Sequence, residues 1–61
     1  MPELTEFDRV RITHDIEQLT ELIQRKEVMV YWEANDITRA QLEQELVLHR
    51  EQLATFQTLI Q

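Results

Sequence analysis

Apolar residues recur along this chain at alternating spacings of four and three. They run first through Ile12, Ile16, Leu19, Ile23 and Val30, then through Leu42, Leu46, Leu53, Phe56 and Ile60. Each stripe has a single polar interruption, Lys26 in the first and His49 in the second. An α-helix needs about 3.6 residues per turn, so this spacing keeps one helical face apolar and forms the a/d seam of packed helices. Strands would require alternation with period two, which no stretch sustains. The expected fold class is all-α.

The ends of the elements carry their own signals. Thr38 precedes Gln41 by three residues, the spacing of a capping box, and Ile37 and Leu42 flank it where a hydrophobic staple would pack. Thr5 with Asp8 is a weaker form of the same signal, and acidic Glu6 and Asp8 favour the positive end of a helix dipole. Asn35 suits the left-handed position that ends a helix, and Asp36 is a common turn residue. The reading is a two-helix antiparallel hairpin, with helices over about 6–34 and 38–61, in a single domain spanning 1–61. Folding back at 35–37 sets Val30 beside Leu42, Lys26 beside Leu46 and Ile23 beside His49. The same register pairs Leu19 with Leu53, Ile16 with Phe56 and Ile12 with Ile60. The two polar interruptions therefore fall in adjacent layers.

Length changes the picture next. A chain of 61 residues buries only about 60% of the surface its unfolded form exposes. Without cysteine, neither a disulfide nor a thiolate zinc site can staple so small a domain, and nothing argues for an oxidising compartment. Two helices meeting on one seam also leave Leu22, Met29, Val47, Leu48, Ala54 and Leu59 beside it. Keeping a Leu-sized side chain dry is worth on the order of 1.5–3 kcal/mol. A second hairpin would cover these residues, which predicts a homodimer closed as an antiparallel four-helix bundle. The pattern is similar to that of small hairpins that dimerise in this way, the Rop-type regulator among them, and the likeness is one of fold alone.

Charge and composition exclude several function classes. Twelve acidic residues against six basic give a net charge of −6, which repels phosphates and argues against direct nucleic-acid binding. The lack of glycine disfavours phosphate-cradling loops and tight β-hairpins. The longest apolar run, Val28 to Trp32, is far short of the roughly 20 residues that cross a bilayer, and no signal-peptide core opens the chain. A cytoplasmic protein without membrane contact is expected.

Candidate chemistry is sparse. His14 with Glu17 and Glu45 with His49 each offer two metal ligands, too few for a site. Glu17 and Glu21 share a helix face but have no nucleophile or pocket beside them, so no enzyme activity and no cofactor are expected. Lys26 reads as a seam-edge residue whose stem covers apolar surface while its ammonium reaches water, or as a register-setting charge. A seam imidazole at His49 could tune an oligomer near neutral pH.

Val28 and Trp32 turn away from the seam with Tyr31 at their edge, and Phe7 and Val10 point the same way near the other end of the first helix. Trp32 either folds over the turn onto Ile37 or, with Val28 and Tyr31, forms an exposed anchor for a partner. The function expected from these residues is a protein-protein interaction module acting as adaptor, regulator or co-chaperone of a larger protein. The competing reading is an acidic inhibitor that imitates nucleic-acid charge, with Glu17, Glu21, Glu43 and Glu51 on its surface. A third is a subunit whose apolar flank pairs with a different chain.

Overall fold

A computed structural model describes residues 4–60. Two helices, α1 (Glu6–Trp32) and α2 (Asp36–Leu59), pack against each other as an antiparallel hairpin. Position 61 of the expected second helix and positions 1–3 of the expected domain lie outside the described residues.

α1 starts where its sequence signal places it. The Thr5 hydroxyl accepts from the Asp8 N–H at 3.1 Å and the Asp8 carboxylate accepts from the Thr5 N–H at 3.2 Å, a reciprocal capping box. The other boundaries differ from expectation. α1 ends at Trp32, two residues early, and α2 begins at Asp36, two residues before Thr38. Asn35 is the reason for the second shift. Its side-chain oxygen accepts from the N–H groups of both Ile37 (2.9 Å) and Thr38 (3.0 Å), so it caps α2 and places Thr38 inside the first turn.

Asn35 is accordingly not the left-handed residue that the turn reading expected. It is extended, at φ −84° and ψ 119°, and no positive φ occurs among the described residues. The corner is instead a short extended link from Glu33 to Asn35. Arg39 ties it down by donating from its guanidinium to the Glu33 carbonyl, and Asn35 N–H donates to the Glu33 carboxylate at 3.0 Å. The staple expected between Ile37 and Leu42 does not form: Leu42 is buried, whereas Ile37 is 73% exposed.

The core is one seam deep. Leu19, Ile23, Leu42 and Leu46 are buried, with Leu46 the most enclosed at 4% exposure. Ile12, Ile16, Lys26, Val30, His49, Leu53, Phe56 and Ile60 are half-buried along the same line. No described side chain is completely enclosed. The molecule measures 46 × 18 × 12 Å. Its least dimension is about the diameter of one helix with its side chains, so the hairpin is a slab one helix thick. Both broad sides of that slab face solvent.

Candidate functional site

Three polar side chains meet where the seam is interrupted. The Lys26 ammonium donates to the Glu45 carboxylate at 2.9 Å and to His49 Nε2 at 2.8 Å. Glu45 and His49 flank Leu46, the residue that the hairpin register sets opposite Lys26, so the geometry follows from the register. An ammonium has no lone pair to offer, so Nε2 must accept and the ring proton belongs on Nδ1. Nδ1 itself is buried and has no hydrogen-bond partner.

The expected free ammonium at Lys26 is therefore corrected. Its side chain is 18% exposed and its head is held by two partners across the seam. His14 stays exposed on α1 and takes no part. Among the described residues, no group of three or more His, Cys, Asp or Glu is placed to hold a metal.

Lys26 also sets the chemistry of Glu45. Its hydrogen bond, then its positive charge, hold the Glu45 carboxyl below its ordinary value of 4.5, against a smaller opposing effect of partial burial. A carboxyl depressed by folding stabilises the fold above its unfolded pKa and loses that contribution as pH falls through its folded pKa. Stability should therefore decline from just above pH 4.5 downward. Urea titrations at stepped pH should show a shallower decline in Glu45→Gln. An unchanged slope in that variant would remove Glu45 as the cause.

The six flanking apolar residues are all exposed, but they do not share one face. Leu22 lines a groove of about 450 Å³ with Asp15, Gln18, Arg25, Gln52 and Phe56, while Val47 lies in another with Glu27, Val30, Glu43 and Arg50. At about 100° per residue, Met29 lies close to Leu22 on α1, and Leu48 and Leu59 fall close to Gln52 on α2. Ala54 falls with Val47. One broad side of the slab thus carries Leu22, Met29, Leu48 and Leu59, together with the Lys26 network. The other carries Val47 and Ala54, beside a 3.5 Å ion pair between Arg50 and Glu27.

The outward ridge of α1 holds the remaining candidates. Trp32 and Tyr31 are each 77% exposed and touch edge to face, with ring centroids 5.1 Å apart. With Val28, Gln24 and Glu27 they border a shallow cleft of about 370 Å³. Trp32 does not fold over the corner onto Ile37, since both side chains point into solvent. Phe7 and Val10 are exposed on the same ridge; Val10 is about 27 Å from Val28 by helical rise, and Glu17 and Glu21 lie between.

These features define a class, the small all-α antiparallel hairpin. No family model matches the chain, and neither characterised proteins nor solved structures show a significant likeness to it. No helix is long and apolar enough to cross a membrane.

Proposed function

We propose that the chain is a non-enzymatic protein-protein interaction module. In this reading the hairpin pairs with a second copy to close an antiparallel four-helix bundle and serves a larger protein as adaptor, regulator or co-chaperone. The observation that carries it is the slab's excess surface. The chain exposes 5197 Å², whereas a compact monomer of its mass, 7.4 kDa, would expose about 4,200 Å². The difference, roughly 1,000 Å², is the size of one partner's share of a stable interface. The exposed Val28 and Trp32 ridge, with Tyr31 at its edge and Phe7 and Val10 beyond it, points largely away from the seam and would remain free for the larger protein. A cytoplasmic location belongs to the same reading and draws on the lack of cysteine.

Sedimentation equilibrium, with Trp32 emission recorded on the same samples, tests this reading. The expected result is twice the chain mass with an indole still accessible to quencher. A monomer at every concentration would remove the homodimer, and a quencher-protected indole in the dimer would remove the anchor.

The competing reading, an acidic inhibitor imitating nucleic-acid charge, draws on the exposed Glu17, Glu21 and Glu51. It requires affinity for a basic protein that falls steeply with salt.

A further inference from the structure

The homodimer reading leaves open which broad side of the slab meets the second copy. Area alone does not decide, because both sides face solvent. Apolar content does. One side presents four aliphatic side chains, Leu22, Met29, Leu48 and Leu59, and the other presents Val47 and Ala54 between charged neighbours, with Tyr31 at its corner end.

Charge must also permit two copies of an acidic chain to approach. On the leucine side Asp8, Asp15 and Glu45 are matched by Arg11, Arg25 and Lys26, with Glu21 at the outer rim of the groove. The excess negative charge lies elsewhere, at outward-facing positions such as Glu6, Glu17 and Glu51. A second copy stacked on the leucine side therefore meets a mixed, nearly neutral surface, and the net charge of −6 stays at the edges. The groove on this side is floored by the core residues Leu19 and Phe56, so a side chain entering it would contact the seam directly.

We propose that this side, centred on Leu22, Met29, Leu48 and Leu59, is the self-association surface, and that the Lys26–Glu45–His49 network at its middle fixes the register of the two copies. This rests on the homodimer reading. Leu22 and Met29 bracket Lys26 on α1, and Leu48 lies between Glu45 and His49 in sequence on α2. A second copy that covers these residues also covers the network. Glu45 is half in water in the single hairpin, and a second copy that covers it removes that water, so alignments that offer its carboxylate no further donor are disfavoured.

The test compares Leu48→Glu with Val47→Glu, adjacent residues on opposite sides and both exposed in the hairpin, so neither substitution disturbs the seam. Sedimentation equilibrium on native protein and both variants, with helix content checked by circular dichroism, gives the readout. Leu48→Glu should weaken dimerisation by about 30-fold or more, the scale of a buried interface anchor, and Val47→Glu should leave it within a few-fold. Loss of the dimer in Val47→Glu, or its retention in Leu48→Glu, overturns the assignment of the face while the homodimer reading stands. A native chain that stays monomeric overturns both. For the register, Lys26→Met combined with His49→Leu, which removes the network while leaving no polar atom stranded in the seam, should yield more than one disulfide-trapped pairing when single cysteines are placed along α2. A single pairing in that background overturns the role of the network.

Discussion

Leu46→Ala should cost about 3 kcal/mol, within the 2–5 kcal/mol range for truncating a buried leucine, and so remove most of the margin that a core this small supplies. Leu46 is the most enclosed residue of the hairpin and packs with Leu19 and Ile23, the middle of a seam that is one side chain deep. A slab one helix thick has no second layer of side chains that could collapse into the space left behind. The expected observation is a broad, low-temperature loss of helix by circular dichroism in place of a cooperative transition. Val28→Ala, on the outward ridge, is the control and should change stability by no more than about 0.5 kcal/mol. A Leu46→Ala protein that melts within a degree or two of the native chain would mean that the seam is not what holds the hairpin together.

Lys26→Met should destabilise the hairpin by about 1–3 kcal/mol, even though methionine nearly matches the lysine stem in bulk. The loss comes from what the substitution leaves behind. His49 Nδ1 already lies buried without a partner, and removal of the ammonium strands Nε2 as well. Glu45, half in water, contributes little to this loss. Adding His49→Leu should then recover the loss, because the two stripes would become apolar at every layer and no polar atom would be left unpaired. Urea denaturation of the two single variants and the double variant forms a cycle with an expected coupling of at least about 1 kcal/mol. Additive effects would show that Lys26 and His49 act independently despite their 2.8 Å contact.

The seam was legible because its period is carried by six successive positions in each helix, and the register because the two polar interruptions constrain it. The corner was not. Asn35 and Thr38 both carry valid start signals three residues apart, and periodicity does not choose between them. The choice falls to the cap that satisfies more N–H groups, and Asn35 satisfies two. Of the two readings of Trp32, packing onto Ile37 fails on geometry. Two residues beyond Val30 and five before Leu42, each points well away from the seam, and helices packed on their facing sides cannot join side chains on their backs. The division of the six flanking residues between two broad sides was missed for a different reason. A stripe pattern shows only that residues lie beside the seam; the side follows from the 100° step, because antiparallel helices with facing seams bring flanks of the same angular sign level.

That division bears on where assembly stops. A plank that was greasy above and below would go on collecting copies into a column, since each arrival would leave a fresh adhesive surface. Here the second broad side offers a valine and an alanine next to an arginine–glutamate pair, with one tyrosine at its corner end. If the leucines are the pairing surface, as proposed, a third plank meets no matching patch, and assembly is expected to close as a couple.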